Sequence, residues 1–255
     1  MSGQSPNVRT APLVRTPHTA MVLAAGLGTR MRPLTDNLPK PLIAVDGKAL
    51  IDHTLDRFAA AGVQRAVVNV HYLADKIEAH VKSREAPKIS LSDERETLLE
   101  TGGGLKKAAP LLGDDPVFCT NTDAILVDDP GAEACTALAE AFDAQKMDML
   151  LLLTPISKTS GYDGKGDFNR QADGRLEFRD GESAQYVFTG LQIIKPSLAA
   201  DGPEGPFSTK ILWEKAISEG RLFGIVHQGF WMHVGDPAGL AAAEAYLKDA
   251  RRQKA

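Results

Sequence analysis

Apolar and polar positions change their period in a regular rhythm along the first 154 residues. "AMVLAA" at 20–25 is an apolar run of strand length. "RAVVNV" at 65–70, "KISLS" at 88–92, "PVFCTNTD" at 116–123 and "DMLLLL" at 148–153 read as further strands, the fourth ending in polar residues. Between them the spacing becomes helical. "KALIDHTLDRFAAAG" sets Ile51, Leu55 and Phe58 on one face of a helix, with Gly62 placed to stop it. "ADKIEAHVKSR" brings Ile77 and Val81 one turn apart, and "GLKKAAPLL" makes a short helix opened by three glycines. The alanine-rich stretch 131–146 predicts a long helix. Strands alternating with helices in this way predict a mostly parallel, doubly wound α/β sheet of Rossmann-like type, with helices on both faces.

After residue 154 the rhythm changes. "GDFNRQADGRLEFRD" reads as a hairpin turned at Asp173-Gly174, "AQYVFTGLQII" as a strand, and "STKILWEKAISEG" as a helix. "RLFGIVHQ" and "FWMHVG" look like the two arms of another strand pair. "DPAGLAAAEAYLKDARRQ" is a closing helix with Asp236 as cap and Pro237 in its first turn. The division this suggests is a flexible tail over 1–19 and one domain over 20–255. Within that domain the rhythm separates 20–154 from a small mixed lobe over 155–235 and a closing helix over 236–253.

Composition narrows the picture by exclusion. With 43% hydrophobic and 24% charged residues the chain is an ordinary globular protein. A formal net charge of -4 gives no general attraction for nucleic acid or anionic lipid, so any anion must be held by local arrangement. Cys119 and Cys135 share no metal-type spacing and suit a reducing cytoplasm. "MLLLLTPI" is too short to cross a bilayer, and 1–19 lacks the apolar core of a signal peptide.

The candidate chemistry lies in four places, all expected beyond the carboxyl ends of strands, where open sheets of this kind bind ligands. Gly26 and Gly28 allow backbone N–H groups to approach a phosphate, and Arg30 adds a planar, permanently charged fork. A dinucleotide loop would need a third glycine where Met31 stands, and Pro33 interrupts the helix start such a loop requires. Asp46, near the distance of a ribose-binding acid, belongs to an Asp-Gly pair that reads as a turn, and no P-loop motif occurs. Lys40 is locked between Pro39 and Pro41, which narrow the backbone and fix where the ammonium points. Asp123 follows a buried strand and is suited to hold Mg²⁺ on phosphate oxygens. The glycines of "LLETGGGLKKA" would allow close approach of a flat base or a sugar.

Taken together, L-A-A-G-x-G-T-R-M-R-P-L-T followed by P-K-P-L resembles the signature of the sugar-phosphate nucleotidyltransferases, over about residues 20–248. Within that family, "LETGGG" and the compact length look most like the bacterial N-acetylmuramate alpha-1-phosphate uridylyltransferases of cell-wall recycling, with short mannose-1-phosphate guanylyltransferases as the alternative. The resemblance implies transfer of a nucleotidyl group from a nucleoside triphosphate, UTP favoured, to a sugar 1-phosphate, N-acetylmuramate 1-phosphate favoured, with release of pyrophosphate. It implies that Leu23, Ala24, Ala25 and Gly26 line the nucleoside, that Gly28, Thr29 and Arg30 take the triphosphate, and that Lys40 bridges the reacting phosphates. Thr101 and Gly102 would lie beside the base, 20–154 would be the nucleotide-binding part and 155–235 the sugar-binding lobe. Asn121, Gly166, Asp167, Thr189 and Gly190 would contact the sugar, and Asp123 would bind Mg²⁺, with Mn²⁺ or Co²⁺ as substitutes.

One position departs from the family. Where the late W-x-D-V-G pattern usually has Asp or Asn as second metal ligand, this chain has His233, a poor partner for Mg²⁺. That departure is the one feature favouring a non-catalytic, nucleotide-sugar-binding regulatory subunit, against intact Arg30, Lys40 and Asp123. Without the long C-terminal repeat domain of some relatives, a monomer or homodimer is expected.

Overall fold

The structure is a computed structural model that describes residues 16–254, so most of the expected tail lies outside the described residues. The apolar run Thr19–Leu23 is the centre of a nine-stranded sheet. It pairs in parallel with Arg65–Val70 on one side and Val117–Asn121 on the other, and Lys88–Asp93 adds a further parallel strand at the edge. The register matters for function. Leu23 lies opposite Asn69 in one neighbour and opposite Asn121 in the other, so three strands end at one level. Tyr186–Ile194 then joins antiparallel between Val117–Asn121 and Met149–Pro155, with its register broken between Phe188 and Gln192. Leu222–Val226 closes that side in parallel, and the hairpin Phe168–Arg170 with Leu176–Phe178 hangs from Tyr186. The stretch 155–235 thus contributes strands to the same sheet as the first half of the chain.

Alternation along the strands decides the two layers. Ala20 and Val22 point to one face, where the helices Leu50–Ala60, Ala74–Val81 and Ala134–Ala141 bring Ile51, Leu55, Phe58, Ile77, Val81 and Leu138. Met21 and Val67 point to the other face, which the helices Glu100–Leu112 and Lys210–Ser218 cover with Leu105, Ala108, Leu112, Leu212 and Ala216. Phe58 and Phe118 stack at 5.6 Å, and truncating such a ring costs about 3–5 kcal/mol. Helices on both faces are the doubly wound arrangement that the sequence rhythm predicts. The Asp46-Gly47 pair is a turn, with φ of 55° and 76°, joining the short strands Ala44–Val45 and Lys48–Ala49. Asp236 caps the helix Pro237–Lys254, accepting from Gly239 N–H at 2.8 Å. None of the described helices is long and apolar enough to cross a membrane.

Three expectations change. The helix over 131–146 shrinks to Ala134–Ala141. Asp128 holds its first N–H at 3.2 Å, and Asp143 folds the chain back by taking the Gln145 N–H on its side chain and the Met147 N–H on its carbonyl. Leu222–Val226 and Phe230–His233 do not pair with each other. The first completes the main sheet, while the second pairs antiparallel with Ala124–Val127 and parallel with Thr159–Ser160 in a small sheet of its own. The short helix expected to open with the glycines starts earlier, at Glu100, so the glycines 102–104 lie within its first turns.

Candidate active site

A cavity of about 460 Å³ opens where the three central strands end. Its rim is the loop after Thr19–Leu23. Gly26 has nothing within 4 Å of where a Cβ would stand, so the backbone there is bare to a ligand. Gly28 has φ +64°, and a Cβ would fall 3.0 Å from the Lys40 Cβ and from the Thr35 Cγ2. The missing side chain therefore lets the Lys40 segment pack beneath the loop. The Thr35 hydroxyl donates to the Gly28 carbonyl at 2.8 Å, and Tyr72 donates to the Thr35 carbonyl at 2.8 Å. Arg30 is exposed on this rim and makes no ion pair among the described residues.

Lys40 begins a short turn of 3-10 helix, and its ammonium reaches the Asp123 carboxylate at 3.1 Å. The two are 83 residues apart in sequence and meet in the cavity wall. Asp123 is fixed by its own carbonyl, which accepts from Val234 N–H at 2.8 Å. It lies deep among protein atoms, yet 29% of its side-chain surface opens on the cavity. Burial alone would push its carboxyl up, but the neighbouring His233 imidazole and the charge of Lys40 outweigh that and hold it well below the usual carboxylate range.

His233 Nε2 stands 3.6 Å from Asp123 Oδ2, and Nδ1 lies 3.3 Å from the Gly161 carbonyl. When Nδ1–H donates to that carbonyl, Nε2 presents a lone pair toward the carboxylate. Two acceptors so close need a proton or a cation between them. Trp231 stacks on the imidazole at 5.7 Å and 8°, and its indole N–H donates to the Thr189 carbonyl at 2.9 Å. Gly161 and Gly235 complete the cradle: a Cβ would stand 2.3 Å from the His233 carbonyl oxygen in the first and 2.4 Å from the ring in the second.

The cavity wall gathers Leu23, Ala24, Ala25, Gly26, Gly28, Thr29, Arg30, Lys40, Thr101, Asn121 and Asp123, so most of the candidate residues meet in one place. Others do not reach it. Gly102 donates its N–H to the Phe207 carbonyl at 2.8 Å, and a Cβ there would stand 2.4 Å from the Phe207 ring. That glycine makes room for protein rather than for a base. Thr189 is 2% exposed and donates to the Leu152 carbonyl. Gly166 is buried against the Ala184 carbonyl, and Asp167 accepts from Phe188 N–H at 2.9 Å, its carboxyl pushed up by burial. Gly190, with φ +92°, leaves room for the Asn121 side chain, 3.4 Å from where a Cβ would stand. These four shape the lobe beside Asn121 instead of lining the main cavity.

Sequence reasoning missed the support beneath the loop. The Ala24 N–H donates to Asn69 Oδ1 at 2.7 Å, Asn69 Nδ2 donates to Glu94 Oε1 at 2.7 Å, and Glu94 Oε2 accepts from Leu99 N–H at 3.1 Å. Glu94 is fully buried. This chain ties the glycine loop to the start of the helix Glu100–Leu112. Its one signal is the asparagine in the otherwise apolar end of "RAVVNV".

A family model described as nucleotidyl transferase matches residues 19–166. The chain is 52% identical over 241 residues to N-acetylmuramate alpha-1-phosphate uridylyltransferase of Caulobacter vibrioides, covering 92% of this chain and 99% of that protein. It is 30% identical over 246 residues to the mannose-1-phosphate guanylyltransferase catalytic subunit beta of Xenopus tropicalis, covering 92% of this chain and 66% of that protein. Its fold is similar to that of the inositol-1-phosphate CTP transferase from T. maritima, with a TM-score of 0.74 at 17% identity, over 92% of this chain and 98% of that one.

Proposed function

The chain belongs to the nucleotidyl transferase family, and from that premise we propose that it transfers a uridylyl group from UTP to N-acetylmuramate α-1-phosphate, giving the UDP-sugar and pyrophosphate. The relative that supports this substrate pair matches along 99% of its own length, whereas the guanylyltransferase relative is more distant and matched over 66%. The observation that carries the chemistry is the meeting of Lys40 and Asp123 at 3.1 Å beneath a glycine loop whose arginine has no carboxylate partner among the described residues. The two buried, unpaired cysteines agree with a cytoplasmic place.

A sugar phosphate is already an anionic nucleophile, so no side chain need act as general base. The obstacle is repulsion between that dianion and a triphosphate. The bare N–H groups near Gly26 and the Arg30 fork hold the triphosphate, and Lys40 offsets charge that builds on the α-phosphate and the leaving pyrophosphate. Attack in line, by one displacement, is the route this arrangement serves. Arg30→Ala should therefore lower kcat/KM at least tenfold, about 1.4 kcal/mol, with Tm unchanged. Loss of folding in place of activity would make the loop arginine structural.

The donor set fits a divalent cation that arrives on the nucleotide. Among the described residues no three acidic, histidine or cysteine side chains gather into a cage. Mg²⁺ is commonly held by one or two protein groups with substrate phosphates and water. Asp123 would hold it, with His233 beside it. A metal-ligating histidine typically donates its other N–H to a carbonyl, as Nδ1 is placed to do with Gly161. When bound, the ion supplies charge neutralisation on phosphate oxygens. An imidazole ligand makes the site softer, so activity with Mn²⁺ or Co²⁺ relative to Mg²⁺ should fall in His233→Asp. An unchanged ratio in parallel assays takes His233 off the metal.

The function itself is tested by pyrophosphate release from a panel of four nucleoside triphosphates against several sugar 1-phosphates. UTP with N-acetylmuramate 1-phosphate should be the best pair. A preference for GTP with mannose 1-phosphate would overturn the substrate reading, and no release from any pair would leave a binding subunit.

A further inference from the structure

Three non-glycine residues among those described have positive φ: Asp46, Leu73 and Glu100. Asp46 is explained by its turn and Leu73 by the start of the helix Ala74–Val81. Glu100, at φ +59°, is neither in a turn of that kind nor a residue type that favours the left-handed region. Its neighbours hold it there. Leu99 donates its N–H to Glu94 and accepts on its carbonyl from Phe207 N–H at 3.1 Å. Thr101 Oγ1 accepts from Thr209 N–H at 2.9 Å, and the N–H groups of Gly102 and Gly103 both reach the Phe207 carbonyl. A backbone strained at one residue and pinned on both sides persists where the residue is needed in that position.

Glu100 is exposed and lines the cavity, and its carboxylate makes no hydrogen bond or ion pair among the described residues. A free carboxylate in a cavity built for phosphates would repel them, so it must face another part of the ligand. Carboxylates only accept hydrogen bonds, so that part must donate. Leu23 and Leu98 in the same wall offer apolar surface for a flat base. We propose that Glu100 is a specificity residue that reads the nucleoside, accepting hydrogen bonds either from the ribose hydroxyls or from the N–H of the base. The proposal rests on the uridylyl reading for the nature of that base.

Calorimetric binding of UTP, 2′-deoxy-UTP and N3-methyl-UTP to the full chain in Mg²⁺ buffer tests it. Wild type should bind one analogue about tenfold more weakly than UTP, the deoxy analogue if the ribose is read and the methyl analogue if the base is read. Glu100→Gln should bind UTP about tenfold more weakly and lose that discrimination. Glu100→Gly adopts the same φ freely, so it should melt no lower than wild type and lose the same discrimination. Variants that bind UTP within twofold of wild type, or that weaken all three ligands equally, overturn the proposal and leave Glu100 as an acid favourably placed at a helix start. A wild type that binds another triphosphate in place of UTP refutes the uridylyl reading alone, and the 2′-deoxy and N-methyl forms of that triphosphate then decide Glu100. A wild type that binds none refutes both.

Discussion

Asp123→Asn is expected to keep the fold and lose about 10³ in kcat, about 4 kcal/mol of barrier. The substitution is nearly isosteric, and the backbone on either side is held by the strand Val117–Asn121 and by the bond from Val234 N–H. Only the charge is removed. That charge has two uses in the proposed reaction: it places Lys40 at 3.1 Å, and it faces the cavity where a phosphate-bound cation would sit. A neutral amide can still accept from Lys40, but it brings no charge to hold either the ammonium or a cation. Because Lys40 and His233 more than offset the cost of burying this carboxylate, removing its charge should also lower Tm, so turnover is measured well below the variant's own melting point, where lost chemistry separates from lost structure. Saturating turnover measured beside the melting curve decides it. Near-normal turnover in the folded variant would remove Asp123 from the mechanism, and Lys40 would then have to be assigned to structure as well.

The parts of this site that were legible in the sequence are those whose residue types have few other uses. Two glycines with an arginine after an apolar run, a lysine between prolines, and an aspartate ending a strand each narrow the chemistry, and the cavity unites them. The strands were legible because full burial on two faces demands unbroken apolar runs. What could not be read is who pairs with whom. Phe230–His233 has the same pattern whether it pairs with its sequence neighbour or, as it does, with Ala124–Val127 and Thr159–Ser160. That choice puts His233 beside Asp123, so a pairing decision invisible in the sequence determines part of the site. Glu94 was equally hidden. Surrounded by charged residues in "SDERE", it looks solvated, yet it is fully buried because Asn69 and Leu99 occupy its oxygens.

The three glycines at 102–104 carry the sharpest contrast between the two readings, and Gly104→Ala tests it through a large expected effect on stability. In an exposed helix interior, alanine would be favoured over glycine by about 1 kcal/mol. Here the added Cβ would stand 2.7 Å from both Asn69 Nδ2 and Glu94 Oε1. It must push apart a buried amide and a buried carboxylate that hold each other at 2.7 Å. Overpacking costs about 1–3 kcal/mol and a broken buried hydrogen bond about 1–3 more. The expected net loss is about 3 kcal/mol, roughly 6–12 °C in Tm for a chain of this size. Because Asn69 also holds the Ala24 N–H, the KM for nucleotide should rise with it. Gly26→Ala is the opposite case. Its Cβ would enter open space, so Tm should stay where it is and only nucleotide binding should weaken. If Gly104→Ala melted like wild type and lost nucleotide affinity alone, the glycines would serve the ligand after all, and the chain from Ala24 to Leu99 would not be what positions the loop.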